Sequence, residues 1–579
     1  MIEMTLRQVA DVVGVPAQPG WESVVVTSVE FDTRRVRPGA LYVALRGERV
    51  DGHDLGDAAA AAGAVAVLGS GPVHRSDAAG MPVLDVSGLP AGEPDTGVHA
   101  TAGDPAAVVA TSGDATGDAT EIGNTAVLHA LARLARASVT TLVDRHGLQV
   151  IGVTGSSGKT STKDLLAAVL RTTLQTQLPD GTDPEVAVVA PSGSFNNELG
   201  HPYTALRATA DTRFLVLELS ARGVGHIAAL TAIAPPRIGV VLNVGSAHLG
   251  EFGSVDAIAR AKGELVEALP AAAPGSTGPD AGGVAVLNVD DHRVAAMADR
   301  TRAEVVLVGT RPEAQVRAEQ LRQDTTARST FELITPEGSA SVRLQLVGEH
   351  HVGNALAVAA VARALGMEVD AVAAALSQAT PASRWRMEVT EVALPATGPA
   401  AVRGGTVTVV NDAYNANPHS MRAALRALAT LGAGRRTWAV LGEMGELGDE
   451  SVAAHDELGR QVVRLGIDRL LVVGDAPETR ILGATSPVGP GAGHVRGRPS
   501  PTRALHLGAH LEGSWAGESA LVPDVDAAVA ILLEELEPGD VLLVKASRSV
   551  GLEQVALRVV DELSRGLSDA SRTADGVRP

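Results

Sequence analysis

The sequence predicts an α/β fold built as three domains, and three observations carry that expectation. Apolar strand-type runs alternate with helical segments over most of the chain, the pattern of parallel sheets covered on both faces. The pattern breaks twice, at a stretch rich in Gly, Ala, Asp and Thr over 89–123 and at a restart near Arg384. The length of 579 residues gives three or four domains at ~150 residues each.

Residues 1–88 read as a small α/β unit. Strand-like SVVVTSVEF and ALYVAL flank a turn at Arg37-Pro38-Gly39, and helix-like DLGDAAAAAGA leads to the strand AVAVLGS. Residues 89–123 keep no sustained period and read as a flexible insert or linker. A helix from about Thr125 to Ala137 opens a second unit, 124–383, of alternating strands and helices. Pro270–Gly283 and the polar stretch Arg311–Arg328 read as interruptions of it. The third unit, 384–579, has strands GTVTVVND, RTWAVLGEM, DRLLVVGD and GDVLLVKAS, a loop over Pro487–Pro501 and a frayed tail from Ser568.

Composition sets the outer limits. Aromatic residues are 2% of the chain and Gly numbers 63, so Ala and Val must fill the cores. Acidic residues outnumber basic ones, 67 to 48, for a net charge of −19. That argues against a nucleic-acid partner, which needs a basic surface to neutralise phosphates. With no Cys, disulfides, thiolate nucleophiles and Cys-ligated metal sites are excluded. Glu3 and Asp11 stand where a signal peptide needs an apolar core, and the apolar run Ala58–Leu68 is too short to span a bilayer. A cytoplasmic protein without membrane insertion is expected.

The segment LQVIGVTGSSGKTSTKDLLAAVL reads as strand, glycine loop and helix. Such a loop aims backbone N–H groups and a helix N-terminus at phosphates. The loop runs through Gly155, Ser156, Ser157, Gly158, Lys159, Thr160 and Ser161. Lys159 is placed to reach terminal phosphates, and the Thr160 hydroxyl to coordinate magnesium. The chain departs from a strict Walker A pattern, with Val153 where that pattern has Gly. RFLVLELS is almost wholly apolar, and Glu218 interrupts it near its C-terminal end. Ligands bind at the carboxyl ends of parallel strands, so Glu218 is a metal-ligand candidate, with a satisfied structural carboxylate as the alternative. Asn243 and His248 follow the next strand, RIGVVLNV. Three strand ends then converge on phosphate and metal chemistry.

These segments, in this order, resemble the Mur ligases, which build the peptidoglycan peptide. GVTGSSGKTSTKD is similar to their phosphate loop, NVGSAHLGEFGS with the Lys262 helix to their metal region, and GEHHVGNALAVAA to their adenine segment, with Asn354 kept and His351 where Asn is usual. RWRMEV resembles the start of their third domain, which implies that Arg386 faces the nucleotide. Asp412 in NDAYNANP matches the acid that holds the ribose. DAYNANPHSM, SFNNELGHP, LGEMGELG and LVKASRSVGLE resemble the branch that adds D-alanyl-D-alanine, which implies substrate roles for Asn415, Asn417, Asn196 and Asn197. FDTRRVRPGALYVALRGERVDGHDL resembles the family's UDP-sugar domain, with Asp32, Thr33, Arg34, Asp51 and His53 at motif positions. Ser220 and Val224-Gly225-His226 depart from the family, which more often has Gly and Pro-Gly-Glu.

The resemblance implies a UDP-sugar domain, a central P-loop-type ATPase domain and a C-terminal Rossmann-like domain. It implies ATP with two magnesium ions, the substrates UDP-N-acetylmuramoyl-tripeptide and D-Ala-D-Ala, and a monomer. The tripeptide, with diaminopimelate or lysine third, is activated as an acyl phosphate that the acceptor amine attacks. Lys159, His248 and Lys262 are the implied catalytic residues, and Thr160, Glu218 and His248 the implied metal ligands. A folylpolyglutamate-type ligase shares the ATP site but lacks the UDP-sugar domain and DAYNANP. A nucleotide switch is disfavoured because the chain has no Asn-Lys-x-Asp motif.

SVDAIARAKGELVEAL reads as an amphipathic helix with Val255, Ile258, Leu265, Val266 and Leu269 on one face. Asp256, Arg260, Glu264 and Glu267 are expected on the other face. Lys262 falls in the apolar stripe, where a charged ammonium is costly. It is then either a snorkelling or paired Lys, or, following the family, a carbamylated one.

Overall fold

The computed structural model describes residues 1–47, 50–73, 81–89, 119–175, 182–246, 249–273, 282–394, 405–474, 500–513 and 515–575. The central layer is a nine-stranded sheet. Its spatial order is Gly338–Val347, Arg328–Thr335, Val316–Gln323, Glu304–Gly309, Val284–Asn288, Ile238–Val241, Gln149–Thr154, Phe214–Glu218 and Val188–Val189. All neighbours are parallel except the two pairings that join the first three strands. Strands such as FLVLE are buried on both faces and so read as unbroken apolar runs. One face packs a core that continues into the N-terminal unit, and the other packs Val169, Leu356 and Val358 among many small residues.

The Arg311–Arg328 stretch corrects the sequence reading. Its residues are not an interruption but the start of an antiparallel edge, Val316–Gln323 with Arg328–Thr335 and Gly338–Val347. One side of this edge is solvated, so polar residues alternate with buried Phe331, Leu333, Val342 and Leu344.

The N-terminal unit is a four-stranded parallel sheet, Ser28–Glu30, Ala40–Val43, Ala64–Gly69 and Val83–Asp85, beside a two-stranded antiparallel pair. SVVVTSVEF is therefore two strands in two sheets, Val25–Val26 pairing with Met4–Thr5 and Ser28–Glu30 pairing with Ala40–Val43. Residues 90–118 of the expected insert lie outside the described residues, but its last five positions already belong to the helix Ala119–His146. That helix is longer than the Thr125–Ala137 expected. Its stretch Gly123–His146 is long and apolar enough to cross a membrane. Here it buries Val127, Leu131, Leu134, Val139 and Leu142 in the core shared by the first two units.

The third sheet has the order Glu388–Ala393, Thr406–Asn411, Val541–Lys545, Thr437–Leu441, Arg469–Val473 and Glu518–Val522. It is parallel except at the first edge. The expected loop at Pro487–Pro501 lies outside the described residues up to 499, and a helix begins at Pro501. Most of the expected frayed tail is helical, since the helix from Glu553 runs to Asp575.

Candidate active site

A cleft of about 560 Å³ opens where the carboxyl ends of the central strands face those of the third sheet. Glu218 ends its strand opposite Val153, and Val241 pairs with Thr154, so three loops leave the central sheet side by side. Gly158 opens the helix Lys159–Leu174 at φ +84°, and a Cβ there would stand 2.7 Å from Asn354 Oδ1. Only Gly meets both demands. Asn243 braces the loop: Ser157 N–H donates to its Oδ1 at 2.9 Å, and its Nδ2 donates to Ser157 O at 3.1 Å. Ser156, Ser157, Ser161, Asn196 and Asn197 also line the cleft.

Lys159 donates from Nζ to Gly155 O at 2.8 Å. Burial lowers its pKa, against the attraction of the Glu218 carboxylate, and the Arg386 charge lowers it further. Thr160 Oγ1 donates to Glu218 Oε2 at 2.9 Å, and Asn196 Nδ2 donates to Glu218 Oε1 at 2.7 Å. Arg386 closes this cluster, donating to Thr160 Oγ1 at 2.8 Å and Ser194 Oγ at 2.9 Å. Thr160 and Glu218 thus present hydroxyl and carboxylate oxygens, a donor set that fits magnesium. His248 lies outside the described residues. Among the described residues no three His, Asp or Glu side chains gather as a metal cage.

Arg386 sits between two non-glycine residues in the left-handed region, Trp385 at φ 59° and Met387 at φ 51°. Such backbone costs of order 1–3 kcal/mol per residue and persists where its surroundings fix it. Those surroundings are visible: the Arg386 guanidinium lies 4.2 Å from the centroid of Tyr414, and Met387 N–H donates to Asp412 Oδ1 at 3.0 Å. Asp412 also pairs with buried Lys545 at 2.6 Å. Lys545 Nζ donates further to Asn415 O at 2.8 Å, and Asn415 Oδ1 accepts from Ala416 N–H at 2.9 Å. Asn417 is the N-cap of the helix Pro418–Leu431, in a capping box with Ser420, and its Nδ2 reaches Ser156 O at 3.4 Å. Its side chain is therefore largely used in starting that helix. His419, which the sequence reading missed, meets Ser157 Oγ through Nδ1 at 3.1 Å.

Asn354 Nδ2 lies 3.3 Å from His351 Nδ1. The His350 and His351 ring centroids lie 4.2 Å apart, with the rings tilted by 39°. Burial pushes His350 down to about 4 and His351 well below its usual value, so both are neutral in the cleft wall at pH 7.

The first-domain candidates are not among the described residues that line this cleft. Asp32 forms a fork with Arg34, 2.9 Å from Oδ1 to Nε and 2.7 Å from Oδ2 to Nη2, which holds its carboxyl down at about 2. Thr33 lies between them, half-buried. Asp51 caps the short helix Gly52–Leu55 and holds His53 Nδ1 at 2.6 Å, while Ser70 N–H donates to His53 Nε2 at 3.1 Å. Both nitrogens of the buried His53 are thus occupied within the domain.

Lys262 is buried on the helix Val255–Glu267 with no ion-pair partner among the described residues. Burial first, then the Lys159 charge, pushes its pKa well down. Glu264 corrects the helical-wheel expectation: it is buried, not on the polar face. Its carboxylate accepts from Gly225 N–H at 2.5 Å and Ala228 N–H at 3.0 Å. These are free donors at the start of the helix His226–Ile233, which no side chain of its own N-cap satisfies.

Comparison with known proteins agrees with this architecture. Residues 25–93 match the Mur ligase family catalytic domain, 153–362 the Mur ligase middle domain, and 400–548 the Mur ligase glutamate ligase domain. The UDP-N-acetylmuramoyl-tripeptide–D-alanyl-D-alanine ligase of Mycobacterium tuberculosis H37Rv is 45% identical over 100% of both chains. The Escherichia coli K12 enzyme of that name is 32% identical over 82% of this chain and 86% of its own. The crystal structure I of MurF from Acinetobacter baumannii superposes with TM-score 0.68 at 25% identity, covering 96% of this chain and 99% of that one. MurF from Thermotoga maritima in complex with ADP shares the fold, with TM-score 0.65 at 24% identity over 93% and 98%. The chain belongs to the Mur ligase family.

Proposed function

We propose that this protein uses ATP to join D-alanyl-D-alanine to UDP-N-acetylmuramoyl-tripeptide through an acyl phosphate. The observation that carries the reading is one cleft in which a phosphate loop and the DAYNANP segment of another domain face each other, in a chain 45% identical throughout to ligases named for that reaction. The tripeptide's terminal carboxylate attacks the γ-phosphorus of ATP, and the bond to the ADP oxygen breaks. The acceptor amine then attacks the activated carbonyl, the amine proton is lost, and inorganic phosphate leaves.

The chain's own groups serve these steps. Lys159 neutralises charge on the transferring phosphoryl group. Gly155, Ser156, Ser157, Gly158 and Ser161 cradle phosphates, and Asn354, Arg386 and Asp412 hold the nucleoside end. Thr160, Glu218 and His248 would hold magnesium, which supplies further charge neutralisation when bound, at two sites in this reading. Asn196 orients Glu218 and, with Asn197, borders the peptide. Asn415 faces the acceptor, and Asn417 shapes that wall through its cap. Residues 1–88, with Asp32, Thr33, Arg34, Asp51 and His53, form the UDP-substrate domain; 124–383 form the ATP domain and 384–579 the acceptor side. We place the enzyme, as a monomer, in the cytoplasm, where its nucleotide substrates are made.

The test is isotope transfer. Tripeptide labelled with ¹⁸O in its terminal carboxylate should pass one label to inorganic phosphate for each amide formed. Phosphate free of label would contradict the acyl-phosphate step.

A further inference from the structure

The acceptor dipeptide carries a second charged group that takes no part in the chemistry, its terminal carboxylate. Something in the cleft must hold it if the amine is to be aimed at the acyl phosphate. The cations that line the cleft differ in what they already do. Lys159 donates to the phosphate loop, Arg386 to Thr160 and Ser194, and Lys545 is buried against Asp412. Arg222 stands on the central domain, 3.9 Å from Glu251.

Arg548 is placed otherwise. It follows Val541–Lys545, the strand lying between Thr406–Asn411 and Thr437–Leu441 in the third sheet. The chain passes from Thr406–Asn411 over that strand to Thr437–Leu441, so the crevice at these carboxyl ends is where ligands bind in such sheets. Asn415, Glu446 and Arg548 come from the three loops that rim it, and all line the cleft. The Arg548 guanidinium lies 4.5 Å from the centroid of the Trp385 ring. Its Nη1 is held 2.9 Å from Glu553 Oε1, a carboxylate that is itself buried, while the Arg548 side chain stays 53% exposed. The ring fixes the guanidinium plane and Glu553 fixes one edge. The other edge, Nε and Nη2, has no acceptor among the described residues. Two parallel N–H groups on a pre-oriented plane are the geometry that binds a carboxylate bidentately.

We propose that Arg548 is the specificity residue that binds the terminal carboxylate of the acceptor dipeptide, with Trp385 and Glu553 as its positioning residues. The inference rests on the proposed acceptor side of the third domain. A bidentate contact here also distinguishes the free dipeptide from its amide, whose terminal group offers a single oxygen, and from a longer peptide, whose carboxylate lies farther from the reacting amine.

The experiment compares D-Ala-D-Ala with its C-terminal amide as acceptors, for the wild type, Arg548→Ala and Arg548→Lys, by ADP release at saturating ATP and UDP-tripeptide. ADP binding by calorimetry reports that each variant is folded. The wild type should prefer the free acid by roughly 10- to 100-fold in kcat/KM, the range for losing a charge-assisted hydrogen-bond pair. In Arg548→Ala the KM for D-Ala-D-Ala should rise by about that factor and the preference should fall to within about threefold. Arg548→Lys, a point charge without the fork, should recover part of the affinity and little of the preference. A wild-type preference retained in Arg548→Ala, or an unchanged KM for D-Ala-D-Ala in that variant, would overturn the assignment. Wild-type enzyme inactive with D-Ala-D-Ala would instead remove the acceptor reading itself, and this proposal with it.

Discussion

Arg386 of the third domain donates to the hydroxyl of Thr160, the first-turn residue of the phosphate-loop helix, at 2.8 Å across 226 positions of sequence. The contact ties the segment entering the third domain to the atoms expected to meet nucleotide and metal. Arg386→Ala should lower kcat/KM for ATP by roughly 10- to 100-fold, the cost of losing hydrogen bonds to charged groups. Arg386→Lys should recover little, since a single ammonium cannot both stack on Tyr414 and span two hydroxyls. Steady-state kinetics with ATP varied checks this. Unchanged constants in Arg386→Ala would mean the contact has no part in nucleotide use.

Lys262 is buried without a counter-charge among the described residues, and its pKa lies well below the ordinary value. Its amine is then neutral at lower pH than usual and available to carbon dioxide. Lys262→Ala should lose most activity and regain part of it in formate or acetate. Lys262→Met, which fills the same space, should stay folded and inactive with or without them. Full activity in either variant would remove any catalytic role, and loss without rescue in Lys262→Ala would leave an unmodified Lys.

His201 is buried, and burial pushes its pKa down to about 4 from an ordinary 6.5. Between those values the unfolded chain binds a proton that the folded chain does not. Stability therefore falls as pH drops from 6.5 to 4, by up to ~1.4 kcal/mol per pH unit for this one group. His350, also about 4, adds a share of the same sign. Urea midpoints measured from pH 7 to pH 4 should show a shallower decline in His201→Gln than in the wild type. Parallel profiles would show that His201 does not titrate this way.

Asn417→Ala should cost about 1 kcal/mol of stability, the usual loss when a helix N-cap is removed. Asn417→Asp keeps a capping oxygen and should hold the wild-type melting temperature more closely. Equal melting temperatures for all three would show that the cap carries no weight.

The sequence announces the parallel strands and the phosphate loop because their signals are local. Apolar runs end in a polar residue at Glu218, and Gly158 stands where φ +84° and Asn354 exclude a side chain. It hides what depends on distant partners. The stretch Arg311–Arg328, which holds the first strand of the antiparallel edge, reads as an interruption because one face of that edge is wet and its residues alternate. Glu264 reads as a surface acid because nothing in its own helix shows that it caps the helix at His226. His419 follows a Pro and looks like any first-turn residue until the third domain brings it to Ser157. Arg548 has no local signature either, since Trp385 lies on a different strand's approach. His248 and residues 90–118 lie outside the described residues.

The most direct measurement is ADP release with UDP-N-acetylmuramoyl-tripeptide and ATP present, with and without D-Ala-D-Ala. The proposed ligase reaction requires turnover that depends on all three substrates, yields one amide per ADP, and disappears in Lys159→Ala. ADP release indifferent to D-Ala-D-Ala, or stimulated instead by a single amino acid such as glutamate, would contradict it.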